Sequence, residues 1–147
     1  MLNASIVLYN HQPSEIAVLI DTLRNSVVIS NIFLIDNSPD KNSEFEKFPV
    51  IYIFNNQNIG YGAAHNIAIK KTMEQNIPFH LICNPDISFG VEILQKIENF
   101  MVENTQIGLL MPKIFSPDGK IQYLCKLVPT LLDPFFRRFN NYFLFIF

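Results

Sequence analysis

Polar residues follow two apolar segments of the chain, and a third polar turn leads into a predicted helix. The residue types in these three turns suit the binding of a phosphorylated ligand. The apolar run 81–83 stops at Asn84, Pro85 and Asp86, and the run 32–35 stops at Asp36. Between these two runs, residues 58–62 (NIGYG) lead from a loop into a predicted helix. Open α/β sheets bind ligands at the carboxyl ends of their strands. The three polar turns therefore predict one site, and a nucleotide with a metal ion is the ligand that they favour.

Asp86 is the candidate metal ligand of this site. Its carboxylate is a hard oxygen donor that suits Mg²⁺ or Mn²⁺, and such an ion neutralises a diphosphate. Asn84 would add an amide contact to the metal shell or to a sugar. The alternative is a plain strand-to-helix turn, in which Pro85 ends the strand and Asp86 accepts from backbone N–H groups.

The other two turns also allow two interpretations. Asp36 would accept a hydrogen bond from a base or a ribose, or it would form an Asx turn. Gly60 and Gly62 allow the backbone close to a ligand, and a helix amino terminus favours an anion. The spacing is not that of a dinucleotide-binding motif, and His65 is expected to be a helix-packing or surface residue. The three histidines lack the spacing of a zinc site.

The composition is that of a folded domain without a strong charge. The chain has 147 residues, of which 49% are hydrophobic and 16% charged, with a formal net charge of -2. These values predict one domain and give no electrostatic reason to expect a nucleic-acid partner. Cys83 is expected to be a buried thiol, which favours a reducing, cytoplasmic location. We expect neither a signal peptide nor a membrane span.

The hydrophobic pattern predicts alternating strands and helices, and hence a mostly parallel α/β sheet with helices on both faces. Residues 88–91 are expected to start the third helix, with Ser88 as its N-cap. The predicted strands are 4–9, 32–35, 50–54, 79–83 and 107–111, with 120–124 returning as a hairpin strand; the predicted helices start at Pro13 or Ser14 and cover 61–75 and 91–103.

The carboxyl-terminal segment differs from the rest of the chain. Residues 135–139 combine three Phe with Arg137 and Arg138, and residues 142–147 are wholly apolar. The segment would contact a membrane surface or a lipid diphosphate, or its rings would pack against further chain. We therefore expect one domain over 1–139, which the resemblance below identifies as nucleotide-sugar-binding, and an apolar tail over 140–147.

Six short segments follow one another along the chain: 5–10 (SIVLYN), 34–38 (LIDNS), 56–66 (NQNIGYGAAHN), 81–86 (LICNPD), 107–114 (IGLLMPKI) and 118–122 (DGKIQ). In this order they resemble glycosyltransferase family 2, in particular its rhamnosyltransferase-like branch. The resemblance covers the chain up to about residue 138, and its specificity lies in the ordered combination of short motifs.

The resemblance implies a GT-A fold, a Rossmann-like half that binds a nucleotide sugar linked to UDP or dTDP. Tyr9 and Asn10 would line the base and ribose, and Asp36 would meet the base. Asn58 and Gly60 would lie near the ribose and phosphates. Asp86 would be the last carboxylate of the family's DxD metal motif, in which Asn84 replaces the first.

The resemblance also implies an inverting transfer of the sugar to a saccharide or lipid-linked acceptor, at the inner face of the cytoplasmic membrane or in the cytoplasm. The family's later acidic motif, which supplies the general base, has no match here. The chain is therefore expected to be a truncated donor-binding part. A non-catalytic nucleotide-binding remnant and a Rossmann-like or flavodoxin-like domain for another ligand remain alternatives.

Overall fold

Apolar segments at regular intervals form a parallel sheet with helices packed against it. The structure, a computed structural model, describes residues 1–122. The chain divides into two compact units, one of Met1–Gly108 and one that begins at Leu109. Within residues 1–122 the elements are β1 (Leu2–Leu8), α1 (Pro13–Arg24), β2 (Ile29–Asp36), a 3-10 helix (Ser43–Lys47), β3 (Ile51–Phe54), α2 (Tyr61–Glu74), β4 (Phe79–Cys83), α3 (Glu92–Glu103), β5 (Ile114–Phe115) and β6 (Ile121–Gln122).

The sheet of the first unit is all-parallel, and β1 lies inside it. Among the described residues it has four strands in the order β3-β2-β1-β4. Ile6 of β1 pairs with Leu34 of β2 on one side and with Cys83 of β4 on the other. The predicted α/β class is thus confirmed, and the sheet and its flanking helices are consistent with a Rossmann-like fold.

Helices cover both faces of the sheet because side chains alternate along each strand. On one face, Ile6 and Leu34 belong to the larger apolar cluster with Ile16 and Ile20 of α1 and Leu94 of α3. On the other face, Val7, Phe33 and Ile35 pack with Ala64 and Ala68 of α2. α2 thus presents small side chains to the sheet, whereas α1 presents a stripe of larger apolar ones.

Two predictions are wrong: the N-cap at Ser88 and the strand at 107–111. Ser88 is not an N-cap, because α3 begins at Glu92 with Val91 as its N-cap. Ile87 and Phe89, two residues apart, both pack against the larger cluster, which an extended chain allows and a helix does not. Residues 107–111 form no strand: the N–H of Ile107 turns back to the carbonyl of Asn104 at 2.9 Å, and Leu109 is 86% exposed.

The second unit, as far as it is described, is a short hairpin. Strands β5 and β6 pair antiparallel, with Ile114 opposite Gln122. The turn closes through the N–H of Gly119, which donates to the carbonyl of Ser116 at 2.8 Å, and Gly119 has a φ of 80°. The predicted turn is confirmed, and β6 lies within the hairpin strand predicted over 120–124, of which residues 123 and 124 lie outside the described residues. The expected apolar tail and the Arg137–Arg138 segment lie outside the described residues.

Candidate functional site

The strand order places a crevice between the carboxyl ends of β1 and β4. From β1 the chain adds β2 and β3 on one side, and then it crosses to add β4 on the other. Such a reversal separates two neighbouring loops and is where parallel sheets bind ligands. Tyr9 and Asn10 follow β1, and Asn84 and Asp86 follow β4. Four of the predicted site residues therefore lie in the loops that flank this crevice.

The exit from β1 leaves two side chains free for a ligand. Tyr9 is 50% exposed, and Asn10 is exposed with a φ of 57°, in the left-handed region that asparagine tolerates. Their backbones are fixed: the N–H of Asn10 donates to Ser38 Oγ at 2.8 Å, and that of Tyr9 donates to His11 Nδ1 at 3.0 Å. The loop is thus held in place while its side chains remain accessible.

Asp36 is buried, and partners within the protein engage both of its carboxylate oxygens. It is 0% exposed; Oδ1 accepts from the N–H of Ser38 at 2.9 Å and Oδ2 from the Tyr52 hydroxyl at 2.7 Å. Burial, together with this bond to a carboxylate, raises the pKa of Tyr52 well above its usual range. The Asx turn that the sequence allowed is formed. A contact between Asp36 and a base stays a prediction, and a base would have to reach a fully buried group.

Asn37, which the sequence reasoning did not single out, connects this turn to the loop before α2. Its Oδ1 accepts from Asn55 Nδ2 at 2.8 Å, and its Nδ2 donates to the carbonyl of Gly60 at 3.4 Å. Its own N–H donates to the carbonyl of Leu8 at 2.9 Å. Only its position after a buried strand could have indicated this role.

The amino terminus of α2 is not capped by a side chain. Asn58 Oδ1 accepts from the N–H of Gly60 at 3.0 Å, which shapes the loop, and Gly60 is the N-cap with a φ of 90°. The first turn of the helix holds no acidic residue. By contrast, Glu15 of α1 accepts from the N–H of Gln12 at the start of that helix. The N–H groups at the start of α2 are therefore available to an anion.

A hydrogen bond joins α2 to the turn after β4. The hydroxyl of Tyr61, the first residue of α2, donates to Asn84 Oδ1 at 2.7 Å. Burial raises the pKa of Tyr61, and the acidic groups of Cys83 and Asp86 add to this effect. Asp86, the candidate metal ligand, is therefore near enough to influence the pKa of Tyr61 in the uncapped first turn of α2.

Asp86 also lines a cavity of about 210 Å³ between α1 and the segment after β4. Glu15, Val18 and Thr22 line its helix side. A larger cavity, of about 430 Å³, lies at the opposite edge of the sheet, around Ile29 at the start of β2 and Ile51 at the start of β3. We favour the smaller one as part of the site, because it includes Asp86 and borders the reversal of strand order.

The donor atoms at the crevice fit a hard divalent cation. Asp86 and Asn84 are both exposed and offer a carboxylate and an amide oxygen, two ligands that Mg²⁺ accepts when phosphates and water complete its shell. Within residues 1–122 no group of three or more His, Cys, Asp or Glu could hold a metal by itself. An ion would therefore be shared with its ligand.

His65 is a buried helix-packing residue, one of the two placements that the sequence allowed. It is 2% exposed, and its Nδ1 lies 2.7 Å from Ser5 Oγ of β1. Burial lowers the pKa of His65 and of His80 to about 4. Both imidazoles are therefore neutral at pH 7.

Comparisons with protein-family models, curated proteins and solved structures found nothing that matches this chain. Across residues 1–122, no helix has the length and apolar character needed to cross a bilayer.

Proposed function

We propose that the chain is the donor-binding part of an inverting glycosyltransferase with a GT-A fold, similar to glycosyltransferase family 2 and its rhamnosyltransferase-like branch. One observation carries the proposal. The uncapped first turn of α2 is hydrogen-bonded through Tyr61 to Asn84, two residues before Asp86, at the reversal of strand order. A diphosphate bridged to a cation needs this combination of free N–H groups and a carboxylate.

The ligand in this proposal is a UDP- or dTDP-linked sugar. Its diphosphate would accept hydrogen bonds from the first turn of α2, and a Mg²⁺ or Mn²⁺ would be held by Asp86, with Asn84 beside it. The exposed side chains of Tyr9 and Asn10 would contact the base and ribose. Asn58 and Gly60 would keep the phosphate loop in shape, as their mutual hydrogen bond supports.

The proposed reaction is displacement at the anomeric carbon. An acceptor hydroxyl forms the new carbon–oxygen bond and gives its proton to a general base, which none of the site residues named here supplies, and the bond to the diphosphate breaks with inversion. The cation would supply charge neutralisation of the departing nucleoside diphosphate, which the helix N–H groups share. The acceptor would be a saccharide or a lipid-linked saccharide, in the cytoplasm or at the inner membrane face.

A second candidate is a nucleotide-binding protein without transferase activity. The observation that favours it is the state of Asp118, a carboxylate that follows the metal motif. Its hydrogen bond with Lys120 holds the pKa of the carboxyl below its usual value, and Lys120 Nζ lies 2.9 Å from Oδ2. A general base needs a raised or neutral-range pKa, so Asp118 is poorly suited to take the acceptor proton.

Calorimetry with UDP, dTDP, ADP and GDP, with and without Mn²⁺, tests the binding site. We expect UDP or dTDP to bind more tightly in Mn²⁺, and Asp86→Ala to remove that gain. Asp21→Ala is the matched control, since it removes an equally charged, exposed side chain from the far end of α1. Failure of the wild-type chain to bind any of the four nucleotides would overturn the proposal.

Turnover separates the two candidates. Release of UDP or dTDP from nucleotide sugars that depends on an added saccharide acceptor would support the transferase. Binding without acceptor-dependent release would support the non-catalytic protein.

A further inference from the structure

A continuous row of polar side chains runs under α2, between β1 and β4. Ser5 Oγ lies 2.7 Å from His65 Nδ1 and 2.7 Å from His80 Nε2. His80 Nδ1 lies 2.7 Å from Thr72 Oγ1, which also accepts from Asn3 Nδ2 at 3.1 Å. Asn3, Ser5, His65 and Thr72 are buried and His80 is half-buried, so these groups satisfy one another.

The direction of each hydrogen bond in this row follows from the number of protons available. The single hydroxyl proton of Thr72 is donated to the carbonyl of Ala68 at 3.0 Å. With its proton donated to the carbonyl of Ala68, Thr72 Oγ1 accepts from His80, which places the proton of the neutral His80 on Nδ1. His80 Nε2 then accepts from Ser5, and Ser5 Oγ in turn accepts from His65 Nδ1. Donation from Thr72 to His80 would reverse the whole row and leave a buried N–H on His65 Nε2 without an acceptor among residues 1–122.

His65 is thus fixed as the tautomer with its proton on Nδ1. Its Nε2 is a bare acceptor, and it has no hydrogen-bond partner among residues 1–122. A ring flip would break the bond to Ser5, and burial leaves little room for one. The orientation of this imidazole is therefore set from inside the sheet.

The fixed ring supports Tyr61, one helical turn earlier. The two rings meet edge to face, with centroids 4.4 Å apart and planes at 73°. Tyr61 is half exposed, so the contact with His65 is what limits its ring on the buried side. The hydroxyl at the far end of that ring is the group that holds Asn84 Oδ1.

We infer that His65 is a positioning residue, which orients Tyr61 and through it the Asn84 carboxamide at the mouth of the crevice. The effect on ligand binding rests on the proposed function, whereas the coupling between the three side chains does not. If His65 only filled space, its volume would be the only property that mattered. A positioning residue needs both the ring that contacts Tyr61 and the Nδ1 proton that Ser5 holds.

Three variants separate these requirements. His65→Asn keeps an N–H close to the position of Nδ1 but removes the ring from Tyr61. Tyr61→Phe keeps the ring contact but removes the hydroxyl that Asn84 accepts from. Asn31→Ala is the matched control, because it removes a donor to Asn3 Oδ1 at the far end of the row and leaves Thr72, His80 and Ser5 in place.

The side-chain amide resonances of Asn84 in the ligand-free protein report the coupling directly. We expect them to shift in His65→Asn and in Tyr61→Phe, and to stay in place in Asn31→Ala. Imidazole nitrogen shifts should show His65 protonated on Nδ1. Unchanged Asn84 resonances in His65→Asn, or a proton on Nε2 of the wild-type His65, would overturn the inference.

Nucleotide affinity then connects the coupling to the site. We expect His65→Asn and Tyr61→Phe each to weaken UDP or dTDP binding by about tenfold, the loss of roughly one hydrogen bond. The double variant should be no weaker than either single one, because both act through Asn84. Additive losses would contradict the inference, whereas a wild-type chain that binds no nucleotide but shows the Asn84 shifts would contradict only the proposed function.

Discussion

The hydroxyl of Tyr52 donates a hydrogen bond to Asp36 Oδ2 at 2.7 Å, across the parallel pair of β3 and β2. The bond ties the carboxyl end of β2 to its neighbour at the edge where ligands are expected. It also explains how a carboxylate can be fully buried there, since the N–H of Ser38 engages the other oxygen.

Removing the Tyr52 hydroxyl should therefore destabilise the fold. Tyr52→Phe leaves the buried carboxylate one donor short, and we expect the free energy of unfolding to fall by about 1–3 kcal/mol. Urea denaturation measures this loss. Tyr9→Phe is the control, because the Tyr9 hydroxyl has no hydrogen-bond partner within residues 1–122. Equal stabilities of the two variants would contradict the role given to Tyr52.

A negative charge in the first turn of α2 should change stability and binding in opposite directions. Gly62→Glu has room, since a Cβ at Gly62 meets no atom within 4 Å. The substitution should stabilise the helix by about 1 kcal/mol, through the helix dipole and the loss of a glycine. It should also weaken nucleoside diphosphate binding by about tenfold, because the carboxylate repels the phosphates.

Gly62→Gln is the matched control for that change. It gives the same gain in helix propensity without the charge, so it should raise the melting temperature and leave the affinity for UDP or dTDP within about twofold. If Gly62→Glu binds the nucleotide as tightly as Gly62→Gln, the first turn of α2 does not contact the diphosphate.

Acid should destabilise the chain through His65 and His80. Burial holds the pKa of each at about 4, below the ordinary value of 6.5, and the charge of His65 further lowers that of His80. Between these values the unfolded chain binds more protons than the folded one. The stabilisation is therefore complete above about pH 6.5 and is lost as the pH falls toward 4, by on the order of 3 kcal/mol for the buried His65 and by less for the half-buried His80, whose charge water partly screens.

Denaturation at a series of pH values measures this loss. Carboxylates also lose stabilising interactions in acid, so the comparison is between variants. His80→Gln should flatten the pH dependence between 6.5 and 4 relative to the wild type. Parallel curves for the two proteins would show that burial of neutral His80 does not contribute to the loss.

Cys83 should be unreactive in the native protein. It is 4% exposed, and burial raises the pKa of its thiol to about 12, so almost none is thiolate at pH 7. Iodoacetamide treatment followed by peptide mapping should find Cys83 unmodified until denaturant is added. Modification of native Cys83 at the rate of a free thiol would contradict its placement between β1 and α3.

The strongly periodic segments made most of the sheet predictable, and the site was predictable only in part. Alternation in β1 and the apolar stripe of α1 follow from local sequence, so their positions were correct to within a few residues. The bond between Tyr61 and Asn84 joins residues 23 positions apart and leaves no local signal. The same holds for Tyr52 and Asp36, since a parallel register becomes known only when the strands are paired.

The failed prediction of a strand at 107–111 has the opposite cause. Its apolar residues satisfy the pattern, but a strand needs a neighbour for its backbone hydrogen bonds, and the sequence pattern cannot supply one. Here the chain enters the segment from a turn at Asn104 and leaves it at Pro112, which has no N–H to donate.

The internal position of β1 sets the order in which the sheet can be assembled during synthesis. β1 leaves the ribosome before the other three strands of this sheet, and β2 can join it soon afterwards. The other edge of β1 stays unpaired until β4 has been synthesised, about 75 residues and several seconds of translation later. During that interval the nascent chain presents an apolar strand with an open edge, the kind of surface that chaperones bind and that pairs with other chains.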